Sequence, residues 1–76
     1  SIYPIPFSKF INIEADGNSI QNVELLDATG RLVESRDKLN LKKYTLTTER
    51  ELGLGFYTLK VTTNKGTIRK QIVSYE

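Results

Sequence analysis

The chain has 76 residues, of which 38% are hydrophobic and 26% are charged, so it can fold around a core that must be thin at this length. Its net charge of +2 comes from 11 basic residues dispersed among nine acidic ones, a balance that does not predict nucleic-acid binding. Cysteine and histidine are absent, which excludes disulfides, the usual zinc sites, a cysteine nucleophile and a histidine general base. We therefore expect a single domain over 1–76 with no metal and no cofactor.

The beginning of the chain predicts a short strand followed by a longer one. A strand over 1–3 is expected to end at Pro4 and Pro6, because proline has no amide hydrogen to donate to a sheet. Apolar and polar residues then alternate over 9–14, which predicts the first long strand. No signal peptide opens the sequence and no apolar run is long enough to span a bilayer. Because the chain starts directly with the strand entry Ser1-Ile2-Tyr3-Pro4, we interpret it as a piece cut from a longer protein.

The next segment predicts a hairpin. A strand is expected over 20–27, with Val23 and Leu25 on one face, and a returning strand over 31–34. Between them, residues 27–30 have the composition of a tight turn, with aspartate first and glycine last.

The middle of the chain is polar and predicts a connection between two sheets. Residues 36–43 are largely charged, with Leu39 and Leu41 as isolated anchors. A short strand is expected over 44–47, and residues 48–52 fit either one helical turn or an extended loop.

The clearest strand lies over 55–62, where Tyr57, Leu59 and Val61 should face the core. Phe56 would point the other way, either covered by the preceding loop or exposed.

A closing strand is expected over 67–73, after a turn at 63–66 that should repeat the geometry of the first one, again with glycine last. On this strand Lys70 shares a face with Ile68 and Ile72. An edge position, or an amine that extends past the rim of the core, would accommodate it. Together the elements predict an all-β fold, a small immunoglobulin-like β-sandwich of six to seven mostly antiparallel strands.

Three motifs in fixed order resemble a known family. They are Tyr3-Pro4-x-Pro6-Phe7, the segment 23–33 with its Asp-Ala-Thr-Gly-Arg turn, and Leu52-x-x-Gly55-x-Tyr57, and a basic last strand follows them. Their order and spacing resemble the C-terminal sorting domain of proteins exported by the type IX secretion system of Bacteroidetes. The resemblance covers essentially the whole chain and departs at Ile5, where the family usually has asparagine.

The resemblance implies a non-catalytic signal rather than an enzyme. In this family the folded domain directs an attached cargo from the periplasm through the outer-membrane translocon to the cell surface or the medium, and a sortase usually removes the domain. The implied partners are translocon or shuttle components and the sortase, and some members belong to the secretion apparatus itself. The candidate motif and recognition residues are Pro4, Pro6, Phe7, Asp27, Gly30, Arg31, Leu52, Gly55, Tyr57, Gly66, Arg69 and Lys70.

Each candidate also has a structural interpretation. The glycines fit turns, and Tyr57 and Phe7 fit a core. Arg31 could pair with Asp27 or Glu34, or could bind a receptor carboxylate. Arg69 and Lys70 are candidates for exposed recognition if the last strand lies at an edge, where a partner can extend the sheet.

Rival functions rest on weaker features. An adhesion or carbohydrate-binding sandwich would use aromatics such as Tyr44 and Phe56, but tryptophan is missing. An enzyme could use Glu49 and Glu51, yet they flank Arg50 and more simply solvate it. An accessory domain without a sorting role would share the same fold. Exposed strand edges also predict a weak homodimer, or one that swaps the hairpin over 55–73.

Overall fold

The computed structural model describes residues 1–3, 10–48 and 52–74. Within these ranges there are seven strands and no helix, which confirms the all-β prediction. The strands are β1 (Ile2–Tyr3), β2 (Phe10–Glu14), β3 (Ile20–Leu26), β4 (Leu32–Arg36), β5 (Lys43–Thr47), β6 (Gly55–Thr63) and β7 (Gly66–Ser74). Three predictions concern positions outside the described residues. They are the end of the first strand at Pro4 and Pro6, the place of Phe7 in the core, and the choice between a helical turn and a loop over 48–52.

The strands form two antiparallel sheets that make a small β-sandwich. One sheet has the order β1-β2-β5 and the other has the order β4-β3-β6-β7. The polar connection over 37–42 leaves the four-stranded sheet after β4 and enters the three-stranded sheet at β5, so the predicted crossing between sheets is confirmed. Leu39 is half-buried in this connection, whereas Leu41 is exposed, so only Leu39 acts as the expected anchor.

The core lies between the sheets and follows the period-two alternation of the sequence. On β6 the three residues predicted to face inward are all buried, and the isoleucines of β2 meet them from the opposite sheet. The buried hydrophobic side chains among the described residues are Ile11, Ile13, Ile20, Val23, Leu25, Leu46, Leu52, Tyr57, Leu59, Val61 and Ile72.

The first hairpin turns earlier, and its returning strand starts later, than the sequence predicts. β3 ends at Leu26 rather than at Asp27, because the Asp27 amide donates to the Arg31 carbonyl at 2.9 Å and closes a loop. The β3–β4 register also shifts between Leu25 and Leu26, where the sequence alternation breaks. β4 therefore begins at Leu32 and runs on to Arg36.

The second hairpin does not repeat the geometry of the first. Thr63 pairs directly with Gly66, so only Asn64 and Lys65 form the turn. The Thr63 hydroxyl accepts from the Lys65 amide at 3.0 Å and donates to the Gly66 carbonyl at 3.2 Å. The similar composition misled the prediction because the threonine, and not an aspartate, organises this turn.

Candidate recognition surface

The described candidate residues fall into three places. Asp27, Gly30 and Arg31 form the β3–β4 turn, Leu52, Gly55 and Tyr57 surround the start of β6, and Gly66, Arg69 and Lys70 lie on β7. Pro4, Pro6 and Phe7 are outside the described residues.

The β3–β4 turn is organised by one carboxylate oxygen. Asp27 Oδ1 accepts from the Thr29 amide at 2.9 Å, the Thr29 hydroxyl at 2.6 Å and the Arg31 amide at 2.9 Å. The Gly30 amide donates to the Asp27 carbonyl at 2.9 Å, and Gly30 has a φ of +88°, which glycine adopts without steric cost. The structural interpretation of Asp27 and Gly30 therefore accounts for both residues.

The same bonds predict how this turn responds to pH. The Thr29 hydroxyl and then the Arg31 amide lower the pKa of Asp27 below its ordinary value of 3.8, because both bonds favour the ionised carboxyl. The contribution of Asp27 to the free energy of unfolding is then complete above about pH 4 and is lost as the pH falls through the lowered pKa. We expect a carbon-13 titration of this carboxyl to give a midpoint below 3.8.

The matched control is Asp27→Asn, which keeps an acceptor oxygen but has no proton to bind in this range. Its unfolding free energy should be lower than that of the parent at pH 6, and the difference should shrink towards pH 2. A midpoint at or above the ordinary value, or a constant difference between the two proteins, would contradict the role given to Asp27.

Arg31 is an exposed cation rather than part of a buried network. Its Nε lies 3.6 Å from Asp27 Oδ2, and 80% of the side chain is exposed. Of the two sequence-based alternatives, the ion pair is thus with Asp27, since Glu34 Oε1 lies 3.2 Å from Arg36 Nη1 instead. An exposed pair of this kind adds little to stability, which leaves the guanidinium available to a partner.

The start of β6 is held by its tyrosine. Tyr57 is buried, as predicted, and its hydroxyl donates to the Gly53 carbonyl at 2.9 Å. Leu52 is buried beside the same core, so the side chains of Leu52 and Tyr57 fasten the loop that leads into the strand. Phe56 points to the other face of the sheet and is exposed, so of the two sequence-based alternatives, covered by the preceding loop or exposed, the second is confirmed.

β7 lies at the edge of the four-stranded sheet, which is the first of the two alternatives that the sequence left open for Lys70. Its residues from Gly66 to Gln71 are exposed, and only Ile72 and Ser74 are buried. Lys70 is the cross-strand neighbour of the buried Leu59 and faces inward.

Arg69 faces outward, next to Lys60 on β6. Lys60 Nζ lies 3.6 Å from Glu24 Oε1 on β3, so Lys60 forms an ion pair with Glu24. Among the residues that the structure describes, neither Arg69 nor Lys70 forms an ion pair.

A groove of about 270 Å³ opens between the sheets beside β7. Ile2 and Ile13 line it from the three-stranded sheet, and Val61, Ile68 and Lys70 line it from the four-stranded sheet.

Comparison with known families gives a match over nearly the whole chain. The sequence matches the family described as the secretion system C-terminal sorting domain over residues 1–75. The chain belongs to this family. The resemblance seen in the motifs is thus confirmed, and the family marks a C-terminal sorting signal of type IX secretion, which acts in export across the outer membrane. A comparison of this chain with curated proteins gives no match.

The structure does not bring all exposed cations of the sorting domain onto one surface. Arg31 precedes β4 and Arg69 lies on β7, and these strands are the two opposite edges of the same sheet. β3 and β6 lie between them, so the edge strands are about 14 Å apart, or roughly three strand spacings. A partner that binds β7 therefore needs a second contact to reach the Asp27 turn.

A hydrogen-bonded group that the sequence analysis missed joins three loops at one end of the sorting domain. The Ser19 amide donates to Asn64 Oδ1 at 2.7 Å, and the Asn64 amide donates to the Ser19 carbonyl at 3.1 Å. The Ser19 hydroxyl also donates to Asn40 Oδ1 at 2.9 Å. Serine and asparagine in turns are a signal for local bonds, but nothing in their spacing indicates that these three turns meet.

The part of the sorting domain that the structure describes has neither a membrane-spanning helix nor a cluster of metal-binding side chains. No helix there is long and apolar enough to cross a membrane. The same residues contain no group of three or more aspartate, glutamate, histidine or cysteine side chains placed to hold a metal ion.

Proposed function

We propose that the sorting domain directs an attached cargo from the periplasm through the outer-membrane translocon of the type IX system, without catalytic activity of its own. Removal of the domain by a sortase and anchoring of the cargo at the cell surface would follow. The observation that carries this proposal is the match to the sorting-domain family over residues 1–75. The partners in this proposal are the translocon or its shuttle and the sortase.

The recognition residues in this proposal are the exposed cations Arg31, Arg69 and Lys70. Exposure and the lack of a strong internal partner support them, because such side chains can bind a partner without disturbing the core. Gly30 and Tyr57, in contrast, have structural roles: Gly30 adopts the positive φ of the turn, and Tyr57 donates a hydrogen bond to the Gly53 carbonyl.

Neutralising the two cations of β7 should impair sorting. In a bacterium with the translocon, a periplasmic reporter fused to residues 1–76 should reach the cell surface, and the Arg69→Gln, Lys70→Gln variant should do so about tenfold less. This factor corresponds to about 1.4 kcal/mol of lost binding, roughly one charge-assisted hydrogen bond. Surface labelling of the reporter, normalised to total reporter, measures the effect.

The matched control is Lys42→Gln with Lys43→Gln, which removes the same charge from exposed positions before and on β5. Both variants should unfold at the same denaturant concentration as the parent, which separates recognition from stability. Equal surface delivery of parent, variant and control would contradict the recognition role of β7. Failure of the parent fusion to reach the surface would contradict the proposed function itself.

Self-association stays a prediction for the excised domain. Exchange of the β6–β7 hairpin would keep each β7 paired with a β6, so it is compatible with the pairing seen within one chain. Light scattering at millimolar concentration should then detect dimers, and a strict monomer would contradict it.

A further inference from the structure

β7 offers a long free edge to another strand. It is nine residues long, whereas the other edge strands, β1, β4 and β5, have two, five and five residues. Among the described residues, Gly66 to Gln71 of β7 pair only with β6 and make no backbone hydrogen bond outside that sheet. Alternate amide and carbonyl groups of Gly66 to Gln71 therefore point into solvent and can pair with an extended chain.

The charge on this edge has one sign. β7 carries Arg69 on its outer face and Lys70 on its inner face, and it contains no acidic residue. The opposite edge differs, because Arg36 and Glu34 on β4 neutralise each other at 3.2 Å and Arg36 Nη2 also donates to the Thr47 carbonyl at 3.3 Å on β5. The two adjacent cations therefore give β7 a preference for an acidic strand that β4 lacks.

The inner face of this edge also has an unfilled apolar position. Ile68 faces inward on β7, but 55% of it is exposed at the groove lined by Ile2, Ile13 and Val61. On the other wall of the groove, Glu14 accepts a hydrogen bond from the Tyr3 hydroxyl and forms no ion pair with Lys70. A strand added beside β7 would place an apolar side chain next to Ile68 and extend the core.

We propose that β7 binds an extended partner strand that carries two adjacent acidic residues and an apolar residue next to them. The acidic side chains lie beside Arg69 and Lys70, one on each face of the sheet, and the apolar side chain lies beside Ile68. In an antiparallel pairing the apolar residue follows the acidic pair. The proposal rests on the sorting function for its biological role and deepens it by giving the chemistry of the partner.

A second copy of the chain is a poorer partner for this edge than an acidic strand. Lys70 is the central residue of β7, so two antiparallel β7 strands in symmetric register would place one Lys70 directly opposite the other. Like charges directly opposite destabilise a strand pair. The same two cations thus disfavour this symmetric self-pairing and favour an acidic strand.

The test uses the whole 76-residue chain and three synthetic peptides. The first peptide alternates threonine and valine around two adjacent glutamates, the second has lysines in place of the glutamates, and the third keeps the glutamates but has prolines at alternate flanking positions. Amide chemical shifts and hydrogen exchange of β7 report binding. We expect the glutamate peptide to bind and to slow exchange between Gly66 and Gln71, and the lysine and proline peptides to bind at least about tenfold more weakly.

The charge-reversed variant Arg69→Glu, Lys70→Glu should prefer the lysine peptide, whereas Lys42→Glu with Lys38→Glu should keep the preference of the parent. Equal binding of the glutamate and proline peptides would mean attraction by charge alone and would overturn strand addition. Absence of binding by the glutamate peptide, or no reversal of preference in the variant, would overturn the proposal.

The sorting assay separates this inference from the proposed function. If the reporter reaches the surface but the glutamate peptide does not bind, only the inference fails. If the peptide binds as expected but the reporter stays in the periplasm, the sorting function fails and the edge remains a binding site for acidic strands.

Discussion

Replacing Leu59 by alanine is expected to lower the free energy of unfolding by about 2–5 kcal/mol, the usual cost of such a cavity in a core. Leu59 is fully buried on β6 and lies between Leu25 of β3 and Lys70 of β7 in the sheet. The total free energy of unfolding of a 76-residue domain is about 4–11 kcal/mol. The substitution therefore removes a large share of it, and urea unfolding followed by circular dichroism measures the loss.

The matched control is Leu54→Ala, because this leucine is 75% exposed in the loop before β6. Its effect should stay within about 0.5 kcal/mol, the range of ordinary surface substitutions. Equal effects at the two positions would contradict the assignment of Leu59 to the centre of the core.

Deletion of residues 67–76 should abolish cooperative folding. The deletion removes nearly all of β7, which pairs with β6 along its length, and with it the buried side chains of Ile72 and Ser74. β6 would become an edge strand, and the core side chains that pack beside Ile72 would open to solvent. We expect the truncated chain to show no sigmoidal urea transition and rapid exchange of the β6 amides.

This second prediction decides how a sorting defect is interpreted. A truncated chain that is not delivered has lost its fold as well as its last strand, so the deletion cannot locate a signal. The Arg69→Gln, Lys70→Gln variant keeps Ile72 in the core and should retain a cooperative transition. A cooperative transition in the truncated chain would show instead that β7 is dispensable for the fold.

The sequence predicts best where local chemistry decides the structure. The alternation at Tyr57, Leu59 and Val61 places them in the core because each side chain of a strand points to one face. The turn at Asp27 is equally local, since its bonds reach only to Thr29 and Arg31.

The sequence predicts poorly where a distant element decides. Ile68 has the same alternation as Ile72 but is 55% exposed, because it borders the open groove between the sheets rather than the packed core. Ser19 and Asn64 bond across 45 positions of sequence, which no local pattern indicates. For the candidate surface, Lys70 on an apolar face indicates an edge position for β7 only as one of two alternatives, and the distance between Arg31 and Arg69 follows only from the strand order.

The shortness of β1 has a dynamic consequence. Only Ile2 and Tyr3 belong to this strand, and the two backbone bonds between Ser1 and Glu14, each 2.8 Å, continue its pairing by one residue. Detaching this segment exposes a half-buried Ile2 and leaves the four-stranded sheet intact, so its local opening requires much less free energy than global unfolding. We therefore expect the pairing of β1 with β2 to open locally while the four-stranded sheet stays folded.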